Sequence, residues 1–136
     1  LCPRPPALAL STEKKLGAVL KRLYTIKKYD QAVELVRKYV EKHRGRLPEG
    51  RLSLLFGKVL MKSSRTEDRF LGSQAFRWAY LTDPDLLEEG LFHYAESLRK
   101  RGFLEEALYS YKRFFERFPR SVFAGEARLK CAGLMV

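Results

Sequence analysis

The chain has 136 residues, of which 46% are hydrophobic and 32% charged, a composition that suits one compact domain or a short helical array and argues against wholesale disorder. No apolar run approaches the roughly 18 residues that a membrane-spanning helix requires. The 27 Lys and Arg residues against 16 Asp and Glu give a net charge of +11, which predicts either an ordinary basic surface or an anionic partner such as nucleic acid, anionic lipid or an acidic protein.

Residues 1–11 are predicted to be a proline-rich leader, a linker or the tail of a signal peptide. Three prolines fall within residues 1–9, and proline disrupts an ordinary helix because it lacks the amide hydrogen. The triplet Ala7-Leu8-Ala9 has the small-x-small pattern of a signal-peptidase site. A proline-rich linker has the same composition, so both interpretations stay open.

Residues 12–136 are predicted to be helical throughout. Apolar residues recur at spacings of three and four, which is typical of helices that pack one face on a core, and no stretch alternates as a strand would. Short breaks between these stripes predict antiparallel neighbouring helices. The apolar stripes fall at residues 16–23, 32–40, 52–60, 70–79, 87–98, 107–115 and 122–132.

Local signals predict where several of these helices begin and end. Pro84 cannot continue the fourth helix, and Asp85 is expected to cap the fifth, with Glu88 three residues later. Gly102 is expected to end the fifth helix in a left-handed conformation. Ser121 is the expected N-cap of a seventh helix that begins near residue 122.

These landmarks repeat along the chain. Pro84 and Pro119 are 35 residues apart, and the small residues Ala32, Gly72 and Ala107 follow one another at intervals of 40 and 35 residues. A small residue at such a position lets two helix backbones approach closely. A period in this range is typical of helical arrays, in which each unit buries its apolar face on the next.

The third unit, residues 88–121, resembles the tetratricopeptide repeat family, whose pattern is 34 residues long. Less complete units are expected at about residues 13–46 and 53–86, and a partial unit at 122–136. The resemblance implies an all-α fold, an α-solenoid of antiparallel helix pairs with about three such units and one extra helix. The matching positions in the third unit are Leu91, Tyr94, Ala95, Leu98, Gly102, Ala107, Tyr111 and Pro119.

The run at residues 118–127 is also similar to the repeats of bacterial envelope proteins. Those include the outer-membrane-assembly lipoproteins and the periplasmic coordinators of cell division. This second resemblance implies a bacterial protein and favours the periplasm or cell envelope over the cytoplasm. The sequence also stops inside an apolar stretch, so we expect the natural chain to continue.

The family resemblance implies a non-enzymatic adaptor that holds a partner peptide or helix in a concave groove lined by the first helix of each pair. Lysines interleaved with Tyr, Met and Phe suit a partner with acidic and apolar side chains. Alternatively, Tyr24, Met61 and Phe92 pack only against neighbouring helices. The predicted groove residues are Lys14, Lys21, Tyr24, Lys58, Met61, Phe92, His93, Glu96 and Arg99, with Gly17, Leu54, Gly57 and Glu89 beside them.

We expect no catalytic activity, no cofactor and no metal. The two histidines, His43 and His93, are 50 residues apart. His93 lies between Glu89 and Glu96 at helical spacing, an arrangement that could hold a metal but that is commonplace on helix surfaces. No glycine-rich phosphate loop and no nucleophile elbow is present in the sequence.

The alternative function is binding of nucleic acid or an anionic membrane surface through the basic first unit. Membrane association is expected only if Cys2 carries a lipid. Cys131 is expected to be a buried apolar residue of the last helix, and that helix is a possible self-association surface. The basic residues concerned are Lys14, Lys15, Lys21, Arg22, Lys27, Lys28, Arg37, Lys38, Lys42, Arg44 and Arg46.

Overall fold

The structure, a computed structural model, describes residues 7–134, with side chains described from residue 12 onward. Within this range there are seven α-helices, one short 3-10 turn and no β-strand, which confirms the all-α prediction. None of the described helices is both long enough and apolar enough to cross a membrane. The elements are α1 (Ala7–Thr25), α2 (Tyr29–Lys42), α3 (Gly50–Leu60), α4 (Thr66–Thr82), the 3-10 turn (Pro84–Leu86), α5 (Leu87–Lys100), α6 (Leu104–Arg117) and α7 (Ala124–Leu134).

The first helix begins earlier than the sequence indicated. α1 starts at Ala7, inside the segment expected to be a leader or linker. A helix can form there because the prolines, at positions 3, 5 and 6, all precede it. Cys2 and the other residues of 1–6 lie outside the described part of the chain, so lipid attachment at Cys2 and the signal-peptide interpretation stay predictions.

Packing follows the order of the chain. Each helix contacts the next, and α1 also contacts α3. One apolar cluster is shared by α1 to α4, another by α5 to α7, and a smaller one lies between α3, α4 and the 3-10 turn. The repeated small residues Ala32, Gly72 and Ala107 are all buried, as expected. Each apolar stripe is therefore covered by helices adjacent in the sequence.

Glycines let α3 and α4 approach closely. Gly57 of α3 faces the ring of Phe76 on α4, where an added Cβ would come within 2.6 Å of ring carbons. From the opposite side, a Cβ on Gly72 of α4 would come within 3.2 Å of the Leu60 Cβ and the Met61 Sδ. At these two crossings no residue larger than glycine fits without movement of its neighbours.

The turns agree with the sequence signals in part. Gly102 has a φ of 89°, so it adopts the predicted left-handed conformation after α5. The prediction that Asp85 caps the next helix is wrong: Asp83 has the extended backbone that a cap requires, and its Oδ1 accepts a hydrogen bond from the Asp85 amide at 3.1 Å. The Ser121 hydroxyl accepts from the Phe123 amide at 3.1 Å, and α7 begins two residues beyond the predicted position.

A buried carboxylate joins α2 to α4. Asp68 accepts hydrogen bonds from Arg37 Nε at 3.2 Å, from Arg37 Nη2 at 2.5 Å and from the Ser63 hydroxyl at 2.5 Å. Burial raises the pKa of Asp68, but these hydrogen bonds and the Arg37 charge outweigh burial and hold the pKa below its ordinary value. Asp68 is therefore ionised at neutral pH, as a buried, paired carboxylate should be.

Replacing Gly57 tests the contact between α3 and α4. Gly57→Ala should destabilise the fold by about 1–3 kcal/mol, because the new methyl group overlaps the Phe76 ring. Urea unfolding followed by circular dichroism measures the change in the free energy of unfolding. Gly125→Ala on α7 is the matched control, since no described atom lies within 4 Å of its added Cβ, and it should cost nothing. Equal stability of both variants would contradict the close approach.

Candidate partner-binding face

The predicted binding residues lie on α1, α3 and α5 or just beyond their ends. On α1, Lys14, Lys21 and Tyr24 follow one another at spacings of seven and three residues, so they share one side of the helix. The Lys62 ammonium, after α3, lies 5.9 Å from the Tyr24 ring centroid and thereby connects the two helices. The surface that we call the odd-helix face consists of Lys14, Lys21, Tyr24, Lys58, Lys62, Glu89, His93, Glu96, Arg99, Lys100 and Lys130.

The first acidic group of the odd-helix face is neutralised by cations from α3. Glu89 on α5 lies 3.3 Å from the Lys58 ammonium, with which it forms a hydrogen bond, and 3.7 Å from an Arg51 guanidinium nitrogen. The side chains of Lys58 and Glu89 are 30% and 29% exposed. Dissolved salt therefore screens their attraction less than that of a fully solvated pair. Lys58 is therefore engaged within the chain.

The second acidic group is neutralised as well. Glu96 on α5 receives hydrogen bonds from the Lys130 ammonium of α7 at 2.5 and 2.6 Å and from the Tyr111 hydroxyl of α6. Arg99 Nε lies 3.5 Å from the same carboxylate, an ion pair that lacks hydrogen-bond geometry. Burial raises the pKa of Glu96, but the Lys130 and Tyr111 hydrogen bonds outweigh it and leave the pKa below its ordinary value. Glu96 therefore joins three helices.

His93 is a neutral aromatic side chain at neutral pH. Its ring stacks on Phe76 of α4 with centroids 5.4 Å apart, and it meets the edge of Phe123 at 5.9 Å. Burial, and then the nearby Lys58 charge, lower the pKa of His93 to about 4. It therefore contributes packing to the odd-helix face rather than charge.

Four exposed lysines on this face have no internal counterion. No carboxylate of the described residues lies within 4.0 Å of Lys14, Lys21, Lys62 or Lys100. The Lys62 ammonium instead lies 5.0 Å from the Tyr29 ring centroid, within cation–π range. Partial burial, and then the charge of Lys62, lower the pKa of Lys100, which indicates two neighbouring ammonium groups. The free charge of the odd-helix face is therefore positive.

Several predicted groove residues are not available to a partner. Met61 and Phe92 are 8% and 3% exposed, so the expectation that they line a groove is wrong and the alternative, packing against neighbouring helices, is correct. Met61 fills space beside Gly72, and Phe92 stacks on Phe123 with centroids 4.6 Å apart. Leu54 and Gly57 are buried as well.

Three cations of this face were missed in the sequence. Lys62 follows Lys58 by four residues and Lys100 follows Glu96 by four, so helical spacing alone would have included both. Lys130 gave a weaker signal. It lies 34 residues from Glu96 and on a different helix, so no spacing within one helix connects the two.

No metal site is found among the described residues. Across that part of the chain, no group of three or more His, Cys, Asp or Glu side chains is arranged to hold a metal ion. The one candidate in the sequence, His93 between Glu89 and Glu96, does not form such a group, and each of the two carboxylates pairs with a lysine instead.

No protein-family model matches the chain, and no curated protein is significantly similar to it in sequence. The resemblance to tetratricopeptide repeats therefore stays a prediction.

The low pKa of His93 predicts a specific loss of stability in acid. Between pH 6.5 and about 4 the unfolded chain binds a proton that folded His93 does not, so stability falls as the pH is lowered through this window, by about 3 kcal/mol. Urea unfolding at several pH values measures the slope. His93→Gln should flatten it, whereas His43→Gln, which removes an exposed histidine, should keep most of it. An unchanged slope in His93→Gln would contradict a buried neutral imidazole.

Proposed function

We propose that this protein is a non-enzymatic helical-repeat adaptor that binds an acidic peptide or helix of a partner protein on the odd-helix face. The observation that carries the proposal is the unbalanced charge of that face. Its carboxylates, Glu89 and Glu96, are each held by two cations from the same chain. Further lysines on α1 and at the ends of α3 and α5 have no such counterion in the part described.

The arrangement of these lysines suits an elongated ligand. They come from helices that are separated in sequence but connected by side-chain contacts, from α1 through Lys62 to α3 and from α3 through Glu89 to α5. A partner helix with acidic residues on one side would meet several ammonium groups at once. The half-buried Tyr24 and Tyr29 rings, 5.4 Å apart, add an apolar contact beside them.

The packing of the helices supports a tetratricopeptide-like solenoid as the scaffold. Each helix buries its stripe on the next helix in the chain, as a repeat array requires. Contacts also recur at about one repeat length: the Ser121 hydroxyl donates to Glu88 at 2.7 Å across 33 residues, and Lys130 reaches Glu96 across 34. Units of this size present the first helix of each pair on a common side.

Charge reversal at exposed lysines tests this function. We expect a fluorescent helical peptide with glutamates along one side to bind the wild type, and Lys21→Glu with Lys62→Glu to weaken that binding by about tenfold or more. Fluorescence anisotropy titrations at about 50 and 200 mM salt measure it. Lys58 is unsuitable, because reversing it would place a glutamate beside Glu89.

The matched control reverses two lysines outside the odd-helix face. Lys38 and Lys42 are both exposed and lie four residues apart on α2. Lys38→Glu with Lys42→Glu produces the same change in net charge and should retain nearly wild-type affinity. An equal loss in both double variants would assign binding to overall charge and contradict a site on this face, and so would an absence of peptide binding by the wild type.

A further inference from the structure

Four exposed side chains form a line along α1 and the residue that follows it. The inner side of this helix packs through Leu16, Leu20 and Leu23 on the core shared by α1 to α4. Lys15, Val19, Arg22 and Ile26 lie beside this packed side at spacings of four, three and four residues, which aligns them along the helix axis. Ile26 directly follows α1 and continues the helical turn, since its amide donates to the Arg22 carbonyl. We call these four residues the α1 strip.

The α1 strip and its surroundings are basic. The one acidic residue of α1, Glu13, is directed away from the strip, since its carboxylate accepts a hydrogen bond from the Tyr39 hydroxyl of α2 at 3.2 Å. Beyond the strip, residues 27 and 28 add two further exposed lysines after the end of α1. None of these cations has a carboxylate within 4.0 Å among the described residues.

The strip also exposes branched aliphatic side chains. Val19 is 46% and Ile26 51% exposed. A helix surface that only faces water does not require aliphatic side chains at these positions. Exposed aliphatic side chains with Lys and Arg beside them suit contact with an anionic bilayer, where cations meet lipid phosphates and apolar groups reach the acyl boundary. Nucleic acid would use the cations but gain little from Val19 or Ile26, since bases stack on flat rings.

We propose that the α1 strip docks on an anionic lipid surface. Lys15 and Arg22 contact the headgroups while Val19 and Ile26 enter the boundary between headgroups and acyl chains. Docking in this way does not depend on a lipid at Cys2. It also uses a side of α1 other than the one that bears Tyr24, so a partner on the odd-helix face and a membrane can be bound together.

Vesicle flotation tests the proposal with lipid as the probe. The wild-type protein should float with phosphatidylcholine vesicles that contain about 40% phosphatidylserine and should remain unbound with phosphatidylcholine alone. Val19→Asn with Ile26→Asn changes no charge and should lower the apparent affinity by about tenfold, because the aliphatic contact is lost. Val19→Leu with Ile26→Leu should retain binding.

The matched control removes two exposed leucines from other helices. Leu81 on α4 and Leu104 on α6 are 58% and 50% exposed, close to the values for the strip. Leu81→Asn with Leu104→Asn should therefore float as the wild type does. Circular dichroism melting should show all variants folded, since every substituted side chain is exposed.

Two results would overturn the proposal. The first is wild-type protein that does not float with anionic vesicles, or that floats equally with neutral ones. The second is vesicle binding that Val19→Asn with Ile26→Asn leaves unchanged while Lys15→Glu with Arg22→Glu abolishes binding of both vesicles and single-stranded RNA. That pattern would define a general polyanion surface. Peptide binding by Lys21→Glu with Lys62→Glu tests the odd-helix face alone. Its result is therefore independent of the vesicle-binding result for the α1 strip.

Discussion

The close contact between α3 and α4 is the constraint on which the rest of the structure depends. Gly57 admits the Phe76 ring, and Gly72 admits the side chains at the end of α3. This contact lies in the middle of the chain, between the two larger apolar clusters. Phe76 also supports His93, which in turn lies beside Lys58. The position of α5 relative to α3, and thus the pairing of Lys58 with Glu89, follows from the depth to which α4 packs against α3.

Whether a cation can bind a partner depends on its ion pairs within the chain and not on the overall composition. The net charge of +11 favours anionic ligands in general but does not indicate where they bind. The structure distinguishes cations that hold the fold together, such as Arg37 with Asp68 and Lys130 with Glu96, from those of α1, which form no ion pair in the described region. The first group stabilises contacts between helices, and the second remains for partners.

The all-α class and the sequence of helices could be predicted because helical periodicity is local. Stripes at spacings of three and four gave the helices, and the small residues and Gly102 marked crossings and ends that the structure confirms. The binding face could be predicted only in part. The sequence shows that Met61 and Phe92 are apolar but not that their side chains pack against a neighbouring helix. Ion pairs such as Arg37 with Asp68 join residues 31 positions apart, which no local pattern connects. Such information lies in packing, which a single helix pattern does not contain.

Packing in chain order also shapes how the protein folds. The side-chain hydrogen bonds between α2 and α4 and between α5 and α7 close loops of 31 and 34 residues, so the entropy lost on closing each one is modest. A topology dominated by such local contacts has low contact order, for which rapid folding is the rule. Opening can also start at one end, since α1 contacts only α2 and α3 extensively. Hydrogen exchange should therefore report weaker protection in α1, whose Lys and Arg side chains form no ion pair in the described part of the chain, than in α4.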